Sequence, residues 1–138
     1  MPSVASPTES YLKVQYDLRP AKQVERRMLI DAFHMLAMAN FPIRDYQYTG
    51  FGSVYFVDFI LFHKLLGIKR MVSVEHSEKV ENRVKFNRPY AFVDIVIGSA
   101  SELIPRLSPD LKHILWLDYD DVLSASHLAD IRLAACRT

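Results

Sequence analysis

The chain has 138 residues, half of them hydrophobic, with a formal net charge of +1. That length makes one domain with a sizeable core, and the balanced charge excludes a nucleic-acid binder that works by bulk positive charge. A single cysteine, Cys136, excludes an internal disulfide, so a soluble, reducing, cytoplasmic setting is the default expectation.

Residues 1–10, MPSVASPTES, lack the positive start and apolar middle of a secretory signal. Residues 1–17 read as a flexible tail and 18–138 as the folded domain. Pro20 suits a first helical turn, where its missing N–H costs nothing. Val24, Met28 and Met35 recur at helical spacing, as do Leu29, Phe33 and Leu36. Asn40 before Phe41 and Pro42 ends this helix. Arg19, Lys22, Arg26 and Arg27 load its first half with positive charge, which the helix dipole disfavours. They either face solvent or have partners.

Residues 46–50 read as a strand ending at Gly50, and 54–66 as a buried helix closed by Gly67. The run VYFVDFILFHKLLGI carries Asp58, His63 and Lys64. It is too short and too polar to span a bilayer, which needs about 20 apolar residues. An unpaired carboxylate in such a helix is costly, so Asp58 is expected to have a partner or water. Residues 70–76 form a second strand, and Ser77 caps a helix carrying Val80 and Val84. Residues 92–98 form a third strand, apolar enough to be covered on both faces. Residues 101–107 are a short helix, 113–121 a fourth strand with an acidic exit, and 124–135 a last helix. Strands alternating with helices predict parallel βαβ units, an α/β Rossmann-like sheet with flanking helices.

Ligands in such folds sit at the carboxyl ends of the strands. Two of the four glycines, Gly50 and Gly52, fall between the first strand and its helix. Glycine there lets the backbone turn sharply and approach a ligand with no Cβ in the way. Ser53 can cap the helix and offer a hydroxyl. Glu75 ends the second strand, where an acid accepts hydrogen bonds from ribose hydroxyls; the alternative is a strand end facing solvent. A dinucleotide fingerprint needs a third glycine at position 55, which is Tyr55, and no G-K-[ST] phosphate loop follows. A glycine turn with a ribose acid and no phosphate features fits adenosylmethionine.

From Tyr46 onward the chain resembles class I adenosylmethionine-dependent methyltransferases. YTGFGS, holding Thr49, Gly50, Phe51, Gly52 and Ser53, resembles their glycine-rich first motif. MVSVEH resembles the second, with Glu75 as the ribose ligand and His76 beside the adenine. IVIGSASELIPRL, with Ser99 and Ala100, is similar to the segment that lines the adenine. ILWLDYDD resembles the fourth-strand motif, whose acids, here Asp118 and Asp120, face the methyl-transfer site. The upstream LRPAKQVERRML is similar to a group of bacterial proteins labelled putative O-methyltransferases.

The resemblance implies methyl transfer from adenosylmethionine to an oxygen of an unknown small-molecule or macromolecular acceptor, with Asp118 also near the cofactor. It implies no membrane partner. The departures are specific. Tyr48 and Thr49 stand where the family usually has an acid before the glycines. Ser99 stands where an Asp often holds the adenine amine, and a bond without charge assistance is roughly half as strong. Metal-dependent relatives bind Mg²⁺ through an acid at the position of Asp118, but their other ligands come from a later strand, so no metal site is expected. The alternative function is a non-catalytic nucleotide-binding or partner module that retains the fold. The class has seven strands and only four are read here. The expected order is three, two, one, four, which leaves the fourth strand as an open edge and a route to self-association. The expectation is the cofactor-binding half of a longer protein, truncated after that strand.

Overall fold

A computed structural model describes residues 19–52 and 54–137. The expected tail and Ser53 lie outside the described residues. In chain order the elements are α1 (Pro20–Met38), β1 (Gln47–Gly50), α2 (Val57–Leu66), β2 (Arg70–Glu75), α3 (Glu81–Asn87), β3 (Val93–Ile97), α4 (Ala100–Leu103), β4 (His113–Trp116) and α5 (Ala125–Ala135), with 3₁₀ turns at Ile43–Asp45, Glu78–Val80 and Ile104–Arg106. The four strands form one parallel sheet in the order β3-β2-β1-β4. Gln47 lies opposite Arg70 on one side and His113 on the other, so β1 is central. This is an α/β sheet flanked by helices, matching the N-terminal part of a class I methyltransferase-like Rossmann fold.

Aromatic side chains build the core around β1 and α2. The Tyr48 ring stands edge-on to Phe59 and Phe62, each 4.9 Å away, and Phe62 stacks on Trp116 at 5.7 Å. Such pairs add to plain area burial because ring edges and faces carry opposite partial charge. Helix α1 packs on α2, with the Phe33 ring 6.0 Å from Phe62.

The ends of several elements differ from the sequence reading. Helix α2 starts at Val57 rather than 54, because Phe56 takes a left-handed conformation with φ 52°. That conformation is strained for a bulky residue. Its fully buried ring, 5.6 Å from Phe59, holds it there. Ser77 does not cap a helix through its side chain. Strand β3 is an outer strand, and Asp94 on it is exposed, so it is not covered on both faces. Strand β4 stops at Trp116, and the acids that follow lie in a loop. Asn40 (φ 68°) and Gly67 (φ 73°) close α1 and α2 in the left-handed conformation that such ends favour.

Helix α1 turns Leu29 and Phe33 of one expected row toward the core, but not the other row. Val24, Met28 and Met35 are exposed, Met28 at 66%, whereas Arg26 and Ile30 are buried. Both rows have helical spacing, and the choice falls to the row that can pair Arg26 with Asp58 of α2. Helix α5 shows the same inversion. His127 and Asp130 are buried, while Leu128 and Ile131 are exposed. No helix among the described residues is long and apolar enough to cross a membrane.

Candidate functional site

Two cavities meet at the carboxyl ends of the strands. The larger is a cleft of about 580 Å³. One wall comes from the ends of β2 and β3, and the other from the loop after β4 and from α5. The smaller, about 60 Å³, lies between α1, the turn after β1 and the loop after β4. Phe51, Asp118 and Asp120 line both, so the two are adjoining.

Glu75 ends β2 on the large cleft. Its carboxylate accepts a hydrogen bond from the Ser77 N–H at 3.2 Å, and its carbonyl accepts from the Gly98 N–H at 2.9 Å. These two bonds fix both the side chain and the neighbouring turn. His76 is exposed at the rim. Ser99 and Ala100 line the cleft where α4 begins. The Ser99 hydroxyl accepts from the Glu102 N–H at 3.3 Å, and the Glu102 carboxylate accepts from the Ser99 N–H at 3.3 Å. This reciprocal cap occupies the hydroxyl as an acceptor. Gly98 takes φ 154°, and a Cβ there would lie 2.8 Å from the Glu102 carboxylate. It is a residue of the cleft that the sequence reading did not single out.

The glycines after β1 have a packing role that their pattern did not suggest. Neither has a positive φ. A Cβ on Gly50 would lie 2.6 Å from the Tyr48 hydroxyl, and one on Gly52 would lie 2.3 Å from the Ser73 hydroxyl. The protein's own core excludes a side chain at both positions. The Gly52 N–H donates to the Ser73 hydroxyl at 3.1 Å, and Gly52 lines the small cavity. Thr49 and Gly50 are buried and line neither cavity. Ser53 lies outside the described residues.

After β4, Asp118 accepts from the Lys22 ammonium at 2.7 Å. Burial alone would lower the pKa of Lys22, but hydrogen bonds to Asp118 and Glu25 outweigh it and hold the ammonium above its ordinary 10.5. Asp120 is exposed at the junction of the two cavities. Tyr119 and the Ser101 hydroxyl both donate to Asp130, which ties the β4 loop and α4 to α5. The Tyr119 ring stacks on His127 at 3.8 Å and lies 5.4 Å from Phe51. Burial, and then the bond to Asp130, push the Tyr119 phenol above its ordinary 10.0. His127 Nε2 is 3.4 Å from the Asp121 carboxylate.

Tyr119, His127 and Asp130 were missed because only the packing of α5 turns them inward. His127 and Asp130 are three apart on α5, but Leu128 and Ile131 have the same spacing, so no sequence signal singled out the polar pair.

The small cavity is lined by Arg26, Gly52, Asp58, Asp118 and Asp120 among others. Arg26 is 4% exposed and its Nε donates to Asp58. Its Nη1 is buried and has no hydrogen-bond partner among the described residues. Burial raises the Asp58 pKa even though the Arg26 guanidinium pulls it down. Among the described residues no three His, Cys, Asp or Glu side chains are grouped to hold a metal ion.

The family described as "putative O-methyltransferase" matches the chain over residues 14–138. The chain belongs to that family. No curated protein and no solved structure matches it. Membership in this O-methyltransferase family carries an adenosylmethionine-binding fold class, and family and fold together make the chain a methyltransferase-like domain.

Proposed function

We propose that the large cleft binds adenosylmethionine and that the chain directs its methyl group to an oxygen of an acceptor entering beside Asp118 and Asp120. The observation that carries this reading is the charge of the lining. Among the described residues Glu75, Asp118, Asp120, Asp121 and Asp130 line the cleft, with no lysine or arginine. Such a lining repels a pyrophosphate and favours a cation, and adenosylmethionine is a sulfonium. When bound, that group supplies an electrophilic methyl. Glu75 accepts hydrogen bonds from the ribose hydroxyls. His76, Ser99 and Ala100 flank the adenine, and Phe51 and Gly52 bound the sulfur end. Thr49 and Gly50 shape that turn from inside. The protein's contribution is to align an acceptor oxygen with the methyl carbon and exclude water. A cytoplasmic setting is part of the same proposal.

Calorimetric titration tests it. Adenosylmethionine should bind, and more tightly than a nicotinamide dinucleotide; the reverse order would end the reading. Glu75→Ala should weaken adenosylmethionine by roughly one to two decades, the value of a hydrogen bond to a charged group. An unchanged affinity in a folded variant would remove Glu75 from the ribose.

A second reading has its own support. Asp118 is already neutralised by Lys22, which suits a cofactor-binding module without turnover. Binding without methyl transfer to catechols, phenols or carboxylates would favour it. Self-association through β4 completes the proposal, because the outer edge of β4 has no strand partner among the described residues and unpaired edges recruit other strands. Concentration-dependent mass in light scattering is the expected sign.

A further inference from the structure

We infer that His127 is a proton-operated latch on the α5 wall of the large cleft: neutral, it holds the wall closed, and protonated, it releases it. The latch acts on the wall itself, whatever ligand the cleft takes.

The hydrogen bonds fix the protonation state that the closed wall needs. The Ser124 N–H can only donate, and it points at His127 Nδ1 at 3.2 Å. Nδ1 is therefore the bare nitrogen, and the proton of the neutral ring sits on Nε2. That nitrogen faces the Asp121 carboxylate at 3.4 Å. In return the His127 N–H donates to the Ser124 hydroxyl at 3.4 Å. The two residues form a reciprocal cap on α5 in which histidine takes the place usually held by Glu or Gln. Neither of those gains a positive charge, whereas histidine ordinarily changes charge between pH 5 and 8.

A second proton can go only to Nδ1. There it sets one N–H donor against another, and the cap bond is lost. It also puts a positive charge in the first turn of α5, where the helix dipole disfavours one. The ring is buried, so its charged form is cut off from water. Nearby acids pull the other way. Asp121 is 76% exposed, so solvent screens its attraction. Asp130 is buried but already accepts from Tyr119 and Ser101. In the loop after β4, Asp118 is paired with Lys22 and Asp120 lies at the junction of the two cavities. On the elements packed against α5, Glu102 of α4 is bonded to the Ser99 N–H and Arg106 is exposed. Glu75 and His76 stand on the opposite wall. The charged ring escapes by turning away from Ser124, which undoes its stack on Tyr119. Tyr119, Asp121, Ser126 and His127 all line the cleft, so cap, stack and wall give way together.

Amide exchange of the full chain at pH 8 and pH 5 tests the latch, expressed as protection factors so that the intrinsic pH dependence of exchange drops out. The His127 and Leu128 amides both donate to Ser124. Their protection should fall by about fivefold to tenfold at pH 5, the loss expected when a helix cap fails, while α2 is unchanged. His127→Gln keeps the reciprocal cap with a side chain that does not titrate, so it should hold protection at both pH values. It also separates His127 from His76, the other histidine of the lining. No fall in the parent, an equal fall in parent and variant, or a fall shared by α2 overturns the latch. Nitrogen NMR of the parent ring needs no variant: at pH 8 Nδ1 should be bare and Nε2 protonated. A proton on Nδ1 at pH 8 overturns the latch as well.

Discussion

The two cavities at the strand ends are built by different means. The large cleft is made mostly of residues that lie within a few positions of a strand end, such as Phe51, Glu75, Ser99 and Asp118. The small one depends on pairs that are distant in the chain. Arg26 and Asp58 are 32 residues apart, and Lys22 and Asp118 are 96 apart. Strand–turn–helix patterns therefore show where a cleft opens. They do not show which helix brings a cation to its end, because that depends on how α1 rolls against α2.

The largest expected effect tests the long-range side of this contrast. Arg26→Met leaves the Asp58 carboxylate buried and uncompensated, and should cost about 3–5 kcal/mol in urea unfolding. Asp58 already has a raised pKa through burial, so without Arg26 it takes up a proton more readily. The loss should shrink as pH is lowered. Arg26→Met/Asp58→Leu should recover most of the stability, since an apolar pair of similar size replaces a buried ion pair well. A single variant as stable as the parent would mean that this pair does not hold α1 in place.

Gly52→Val acts on the local side. The added Cβ meets Ser73 and Phe56, and overpacking of this kind costs about 1–3 kcal/mol. The expected loss is therefore of stability, visible in the unfolding midpoint before any ligand is added. A variant with unchanged stability that fails only to bind ligand would show that the turn is shaped for the ligand after all.

A smaller change tests how α5 closes the cleft. Ser124 caps α5, accepting from the His127 N–H at 3.4 Å while His127 Nδ1 accepts from the Ser124 N–H at 3.2 Å. Ser124→Ala should cost about 1 kcal/mol. It should also loosen the stacking of His127 on Tyr119, read as higher Tyr119 fluorescence anisotropy decay or faster amide exchange in α5. No change in exchange would separate the cap from the cleft wall.

The smallest effect is nil at neutral pH and appears only in alkali. The phenols of Tyr48 and Tyr119 are raised above their ordinary 10.0, in both cases by burial first. A raised folded value means that the folded state keeps protons which the unfolded state releases. The stabilising contribution is fully present below pH 10.0 and is lost as pH rises through the folded values. Lys22, raised above 10.5, acts in the same direction. Stability should fall steadily above pH 10.0, and Tyr119→Phe should make that fall shallower. An equal slope in parent and variant would show that Tyr119 ionises alike in both states.

All four strands and the positions of Glu75, His76, Ser99, Ala100, Asp118 and Asp120 near the strand ends were legible in the chain, while the sheet order came only from the family resemblance. Hydrophobic periodicity and turn residues act over a few positions, and they are local by nature. The same locality explains the errors. In α1 Leu29 and Phe33 of one expected row face the core, whereas the apolar Val24–Met28–Met35 row lost to the one that carries Arg26. The demand that Asp58 have a partner was readable. The identity of the partner was not.

The sequence by itself determined the alternation of strands and helices, the parallel sheet and the end of it at which a cleft opens, because each follows from patterns within one βαβ unit. The tertiary structure alone decided that the core itself excludes a side chain at Gly50 and Gly52, which polar residues of α1 and α5 turn inward, and that Arg26 Nη1 has no hydrogen-bond partner among the described residues. Those outcomes depend on contacts between segments far apart in the chain, and free energy there is settled by the fit of whole faces rather than by the preference of any one residue.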